Sequence, residues 1–163
     1  MGCQRARCGI DILPGIAFMK NIQDLSILLV EDNPVDTDLA LHAFSRIHFN
    51  NPVQVARDGL EVMELFDQWK EGDAYPGVIL LDIKLPKVTG LEVLKKLKSN
   101  PKTCAIPVVM LTSSADETDV NTAYKNGANS YIIKPVDFEK FIVFTTTICE
   151  YWMKLNVRPE LPK

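Results

Sequence analysis

Short apolar runs recur along the chain and indicate how it is organised. The runs are Ile27–Val30, Val53–Ala56, Val78–Leu81, Val108–Leu111 and Tyr131–Ile133. They are rich in Val, Ile and Leu, and most are uninterrupted apolar stretches, which is typical of parallel strands buried on both faces of a sheet. The apolar pattern therefore predicts a parallel sheet of five strands.

Helical patterns fill the segments between and after these runs. Their signals are, in chain order, Asn33-Pro34, residues 59–69, Thr89-x-x-Glu92, Ser114-x-x-Glu117 with Gly127, and residues 137–152. An N-cap residue before a first-turn proline, two capping-box motifs and a glycine stop are all helix-end signals. The alternation predicts an α/β fold: a flavodoxin-like, doubly wound, five-stranded parallel sheet with five helices in a single domain.

The regular pattern covers residues 25–153, and these residues form the predicted domain. Residues 1–24 lack a clear period and are expected to be a disordered or non-native N-terminal extension, while residues 154–163 are expected to be a C-terminal tail. No A-x-A-like cleavage site follows the N-terminal arginines, and no apolar run approaches the ~20 residues of a membrane helix. We therefore expect a cytoplasmic protein with no membrane partner.

Charge and histidine placement narrow the function classes further. The formal net charge is −3, so nothing favours nucleic acid as a partner in the way that a basic stripe would. The two histidines, His42 and His48, have no cysteine partners at zinc-ligand spacing. Neither nucleic acid nor zinc is therefore an expected partner.

Acidic, hydroxyl and lysine side chains, with one proline, follow four of the predicted strands at their carboxyl ends. They are Glu31, Asp32, Asp82, Thr112, Ser113, Lys134 and Pro135. Doubly wound sheets bind their ligands at this edge, so these residues are expected to converge. Clustered carboxylates resist full ionisation, and a Mg²⁺ ion with hard oxygen ligands would relieve that repulsion. With a lysine to hold a phosphoryl oxygen, the set predicts phosphoryl transfer with Asp82 as the nucleophile.

Five segments, in order, resemble the CheY-like receiver domain of bacterial response regulators. They are Ile27-Leu-Leu-Val-Glu-Asp-Asn-Pro34, Ala56-Arg-Asp-Gly59, Leu80-Leu-Asp-Ile-Lys-Leu-Pro86 with Gly90, Val108–Ser114 and Tyr131-Ile-Ile-Lys-Pro135. The resemblance covers roughly residues 25–153. Within the family, the chain is similar to stand-alone regulators that accompany phytochrome-type histidine kinases. The resemblance implies two-component (phosphorelay) signal transduction.

Residue roles follow from this resemblance. It implies that Asp82 is the phosphoacceptor and that Glu31, Asp32, Asp82 and the backbone carbonyl of Lys84 hold Mg²⁺. Thr112, Ser113 and Lys134 would bind the phosphoryl group, with Tyr131 as the aromatic switch residue. A proline at position 135 is usually preceded by a cis peptide bond in this family, which would help to aim Lys134.

The resemblance also implies how the protein would signal. A sensor histidine kinase would donate the phosphoryl group, and a downstream protein or phosphotransfer protein would read the surface formed by helix four, strand five and helix five. The aspartyl phosphate would hydrolyse slowly, so the chain is expected to be a phosphoacceptor rather than a turnover enzyme.

The last predicted helix carries two apolar strips. Its core positions are expected to be Phe138, Phe141, Ile142, Ile148, Cys149 and Trp152. Val143, Phe144 and Tyr151 fall off that face and form a second strip. Exposed apolar strips often mark partner surfaces, so a homodimer through the region of helix four, strand five and helix five stays open.

Other readings of the pattern are weaker. A phosphatase of the haloacid dehalogenase type would need an acid two residues after its nucleophile, where this chain has Lys84. Nicotinamide and nucleotide-triphosphate sites need glycine-rich phosphate loops that the sequence lacks. A receiver-like binding module that acts independently of phosphorylation remains the alternative.

Overall fold

The computed structural model describes residues 25–70 and 74–158. The strands are β1 (Ile27–Val30), β2 (Val53–Ala56), β3 (Val78–Leu81), β4 (Val108–Thr112) and β5 (Ser130–Ile133). The helices are α1 (Pro34–Arg46), α2 (Gly59–Gln68), α3 (Gly90–Ser99), α4 (Glu117–Lys125) and α5 (Phe138–Ile148), and a π-helical segment, Cys149–Leu155, continues α5. Each predicted strand is confirmed to within one residue at either end.

The strands form one parallel sheet in the order β2-β1-β3-β4-β5. β1 pairs with β2 on one side and with β3 on the other. The chain first adds β2 at one edge and then adds β3, β4 and β5 in the opposite direction, so the winding reverses between β1 and β3. The register pairs Val30 with Leu81, which brings the residues that follow them to neighbouring positions at the carboxyl edge. The doubly wound prediction is therefore confirmed.

Helices cover both faces of the sheet. One buried cluster lies on the side of α2, α3 and α4, and another lies on the side of α1 and α5. Every residue of β1, β3 and β4 is buried, as their continuous apolar runs predict. The edge strands β2 and β5 are only partly buried, because each has one neighbouring strand. Among the described residues, none of the helices combines the length and apolarity needed to cross a membrane.

The predicted helix caps are mostly confirmed. Asn33 caps α1 by accepting from the Val35 N–H, and Thr89 and Glu92 form the predicted capping box of α3. The capping box predicted at Ser114 is wrong: Asp116 caps α4, because it lies next to the helix and accepts from the Thr118 N–H at 2.7 Å. The Ser114 hydroxyl instead donates to the carboxylate of Asp119 at 2.8 Å.

Gly127 ends α4 as predicted. Its φ of +95° is a left-handed conformation that glycine adopts without strain. The N–H of Gly127 donates to the Tyr124 carbonyl at 3.0 Å, which satisfies one of the free carbonyls at the helix end.

The last helix differs from its prediction in two respects. Phe144 was expected off the core face but is 8 % exposed, because Phe141, Phe144, Thr145 and Ile148 form one buried stripe at helical spacing. Val143 and Tyr151 are exposed as predicted. The helical turns also continue through Leu155, so the chain remains helical beyond the predicted tail boundary at residue 154.

A partly buried ammonium connects α3 to the segments that precede β4 and β5. The Nζ of Lys98 donates to the carbonyls of Cys104 at 3.1 Å and Ile106 at 2.7 Å and to Oδ1 of Asn129 at 3.0 Å. Asn129 Oδ1 also accepts from the Val108 N–H at 2.9 Å, so the network joins α3, β4 and the segment before β5. Burial lowers the pKa of Lys98 to about 8.

Lys98→Met is expected to lower the free energy of unfolding by about 1–3 kcal/mol, because it leaves three acceptors without their donor. The pKa of Lys98 in the folded protein lies below the usual 10.5, so the unfolded chain binds more protons than the folded one between about pH 8 and 10.5. The free energy of unfolding of the wild type therefore rises with pH across this range. The difference between wild type and variant should therefore grow across that range in denaturant titrations. Exposed Lys95 supplies the control, Lys95→Met. Equal curves for both variants would contradict the assignment.

Candidate functional site

Two buried acids stand side by side at the carboxyl edge of the sheet. Glu31 follows β1 and is 2 % exposed, while Asp82 follows β3 and is 5 % exposed. Their backbones extend the strand ladders: the Glu31 N–H donates to the Ala56 carbonyl at 2.9 Å, and the Asp82 N–H donates to the Val30 carbonyl at 3.0 Å. The strand register therefore fixes the position of both carboxyl groups.

A third carboxylate joins them. Asp32 is exposed, and one oxygen each from Glu31, Asp32 and Asp82 lies within 4.8 Å of the others. Carboxylate oxygens at such spacing are the donors that hard divalent cations prefer. The predicted convergence of these acids is confirmed, and their geometry suits a divalent cation.

Lys134 carries positive charge into this cluster. Its Nζ lies 2.6 Å from Glu31 Oε2, 2.8 Å from Asp82 Oδ2 and 2.9 Å from Asp36 Oδ2. The side chain is 11 % exposed, and the residue's backbone N–H donates to the Thr112 carbonyl at 2.8 Å. The end of β5 therefore delivers the ammonium to the acids at the ends of β1 and β3.

Burial and the ion pairs shift the pKa values of Lys134 and Glu31 in opposite directions. Burial disfavours the ammonium of Lys134, but hydrogen bonds to Asp36, Asp82 and Glu31 outweigh it and raise its pKa. Burial raises the pKa of Glu31, the Asp82 charge adds to that rise, and the Lys134 ammonium opposes it. The cluster holds more negative than positive charge and would gain from a further cation.

The loop after β4 borders the cluster. Thr112 is fully buried, and its hydroxyl oxygen accepts from the Ser114 N–H at 3.2 Å, whereas Ser113 is exposed. On the other side, the Lys84 N–H donates to Asp82 Oδ1 at 3.3 Å, which orients that carboxylate. Lys84 itself is exposed, and this backbone bond is its contact with the acids.

Tyr131 lies on β5 and is half-buried against the core on the α2–α4 side. Its hydroxyl donates to the Ser114 carbonyl at 3.0 Å. Burial is the main cause of a raised pKa for this phenol. The ring thus links β5 to the loop that carries Thr112 and Ser113.

Pro135 follows the ammonium-bearing lysine, but the cis bond expected before it is not found, since no described peptide bond is cis. The direction of the Lys134 side chain is instead fixed by its ion pairs and by the backbone bond to Thr112.

Sequence reasoning missed one contact residue. Asp36 lies in the first turn of α1, where an acid is ordinarily explained as a complement to the helix dipole. Its place in the first helical turn after the acidic pair Glu31-Asp32 was the available signal.

Gly90 has a packing role that the sequence motif did not explain. A Cβ at this position would collide with the Asp82 carbonyl, and the Gly90 N–H donates to the Ile83 carbonyl at 2.9 Å. The glycine lets the start of α3 approach the end of β3 closely. This contact helps to fix the segment that carries Asp82.

The sequence resembles those of known proteins. Residues 27–145 match the family described as the response regulator receiver domain. The probable methanogenesis regulatory protein FilR2 of Methanothrix harundinacea is 41 % identical over 134 residues, which are 82 % of this chain and 86 % of FilR2.

Solved structures agree with the sequence match. The phosphorylated cyanobacterial phytochrome response regulator RcpA is 35 % identical with a TM-score of 0.77, over 84 % of this chain and 99 % of that one. The Mn²⁺-bound response regulator Rcp1, known from Synechocystis, is 34 % identical with a TM-score of 0.75, over 83 % and 99 % of the two chains. The chain therefore belongs to the receiver-domain family of response regulators and is a component of two-component signal transduction.

Proposed function

We propose that Asp82 accepts a phosphoryl group from the phosphohistidine of a sensor histidine kinase. One carboxylate oxygen of Asp82 attacks phosphorus, the P–N bond breaks, and the bond electrons return to the histidine ring. The observation that carries the proposal is the buried Asp82 carboxylate, 2.8 Å from the Lys134 ammonium and beside two further acids. Such a site can position a phosphoryl group and balance its charge.

A Mg²⁺ ion fits the donor set. Glu31, Asp32, Asp82 and the backbone carbonyl of Lys84 would hold it, and the exposed position of Asp32 leaves a route for entry. When bound, Mg²⁺ supplies positive charge that neutralises the oxygens of the transferring group. Rcp1, which is 34 % identical to this chain, has a Mn²⁺-bound form, and this supports divalent-cation binding here.

The chain's own polar groups would hold the phosphoryl oxygens. The Lys134 ammonium already reaches Asp82 and would accompany the new negative charge. The Thr112 hydroxyl and the neighbouring Ser113 lie at the end of β4, adjacent to β3 in the sheet, and would donate to other oxygens. Slow hydrolysis of the aspartyl phosphate would reset the protein.

A change in the loop after β4 would transmit the signal. Movement of Thr112 toward the phosphoryl group would disturb the Ser114 carbonyl that Tyr131 now bonds, so the ring could change its position. The surface of α4, β5 and α5 would then change its affinity for a downstream protein or a phosphotransfer protein. Exposed apolar residues on that surface also suit a homodimer: Tyr124, Ile133, Val143 and Tyr151.

One relative supports a particular class of kinase. RcpA is a phytochrome response regulator, so a phytochrome-type kinase is the proposed donor for this chain. We propose a cytoplasmic location, where such a kinase would present its phosphohistidine.

Intact-mass measurement after incubation with acetyl phosphate tests the proposed function. The expected result is a gain of one phosphoryl group in the presence of Mg²⁺ and no gain when a chelator has removed the Mg²⁺. A gain that is equal with and without Mg²⁺ would contradict the cation's role. No gain from acetyl phosphate or from a phosphorylated kinase would favour the alternative of a binding module that acts independently of phosphorylation.

Tyr131→Phe is expected to raise amide hydrogen exchange in the segment 113–119 of the unphosphorylated protein, because it removes the hydroxyl bond to the Ser114 carbonyl. Phosphoryl gain from acetyl phosphate should persist, since the hydroxyl does not contact the acids. Tyr124→Phe, on the exposed side of α4, is the matched control. Unchanged exchange in Tyr131→Phe would argue against a role for this hydroxyl in holding the loop.

A further inference from the structure

Asp36 contacts the site only through Lys134. Its Oδ2 lies 2.9 Å from Nζ, and its side chain is 34 % exposed, compared with 3 % for Glu31 and 7 % for Asp82. It does not belong to the group of three acids whose oxygens lie within 4.8 Å of one another. Asp36 is therefore an acceptor for the ammonium at the rim of the cluster, on α1.

The ammonium and a divalent cation would compete for the same two carboxylates, those of Glu31 and Asp82. Lys134 Nζ lies between Glu31 Oε2 at 2.6 Å and Asp82 Oδ2 at 2.8 Å. A Mg²⁺ ion would need carboxylate oxygens at about 2.0–2.1 Å, and two cations at such close quarters repel each other. Cation binding therefore favours a shift of the ammonium away from Glu31 and Asp82.

Asp36 provides an alternative ion-pair partner for the displaced ammonium. Its carboxylate already receives one of the three ammonium hydrogens, so Lys134 can weaken two ion pairs while it keeps the third. Without that carboxylate, a displaced ammonium would lose its charged partners in a largely buried setting.

We infer that Asp36 is a positioning residue that retains Lys134 at the rim of the cluster when a divalent cation binds Glu31, Asp32 and Asp82. This inference rests on the proposed function, because it takes the three acids as the cation's ligands. It assigns Asp36 no direct contact with the cation or the phosphoryl group.

Asp36→Asn is expected to weaken Mg²⁺ binding roughly fivefold, which lies within the range of measured couplings between contacting charged residues. Two effects act in the same direction. A negative charge near the cation is lost, and Lys134 remains more firmly on Glu31 and Asp82. Asp36→Glu keeps a carboxylate and should stay within about twofold of wild type.

Isothermal titration of Mg²⁺ into chelator-treated full-length protein measures this directly. Asp38→Asn removes the same charge from an exposed position on α1 and is the matched control, with an expected change below about twofold. In a Lys134→Met background, Asp36→Asn should also change the affinity by less than about twofold, because the residue it positions is gone and only the effect of the lost charge remains. Thermal unfolding of each variant confirms that it is folded.

The outcomes separate the inference from the proposed function. If wild type binds no Mg²⁺, the proposed cation site fails and the inference fails with it. If wild type binds Mg²⁺ but Asp36→Asn matches Asp38→Asn, only the inference is overturned. An equal loss in the wild-type and Lys134→Met backgrounds also overturns it, since Asp36 would then act through its charge alone.

Discussion

Lys134→Met is expected to lower the free energy of unfolding by about 3–5 kcal/mol in Mg²⁺-free buffer, which is the usual cost of removing one partner from a buried ion pair. The Lys134 side chain is 11 % exposed, and its removal leaves the buried carboxylates of Glu31 and Asp82 without a counter-charge. Denaturant unfolding monitored by circular dichroism measures the loss.

Two comparisons make this prediction specific. Lys140→Met replaces an exposed lysine on α5 and should change stability by less than about 0.5 kcal/mol. Saturating Mg²⁺ should recover much of the loss in Lys134→Met, because an ion that binds only the folded cluster stabilises it. A Lys134→Met variant as stable as Lys140→Met would show that the carboxylates do not need the ammonium.

Asp82→Asn is expected to abolish phosphoryl gain from acetyl phosphate. An amide lacks the anionic oxygen that attacks phosphorus, although it keeps nearly the same shape and removes one charge from a crowded acidic cluster. The variant should therefore stay folded while it loses its reactivity. Intact-mass measurement in the presence of Mg²⁺ compares it with wild type.

The matched control for this variant is Asp38→Asn, which changes an exposed acid on α1 and should accept the phosphoryl group like wild type. Persistent gain in folded Asp82→Asn would mean that another residue accepts the phosphoryl group. Loss of gain in both variants would indicate a general effect of charge rather than a specific nucleophile.

The sheet and most of the site could be predicted because apolar runs locate the strands, and the residues that follow each run are then placed at the carboxyl edge of the sheet. Continuous apolar runs fixed the strand positions, and a doubly wound parallel sheet brings the ends of β1 and β3 together. Glu31, Asp82 and Lys134 each follow such a run, so their convergence followed from the topology. This convergence could be predicted without knowing the conformation of any side chain.

Features that depend on competing local contacts were not predictable in the same way. Ser114 and Asp116 could both cap α4, and only the actual helix start decides in favour of Asp116. Phe144 fits either of two strips on α5, and packing against Phe141 places it in the core. The Asp36 contact depends on the reach of Lys134 across the sheet edge, which periodicity does not report.

Borohydride reduction of the acetyl phosphate-treated protein, followed by peptide mapping, tests the central claim most directly. Reduction of an aspartyl phosphate leaves homoserine in place of aspartate, so the modified residue can be read from the fragment masses. The account predicts homoserine at position 82 and unmodified acids at positions 31, 32 and 36. Homoserine at another position, or none in protein shown to carry a phosphoryl group, would contradict it.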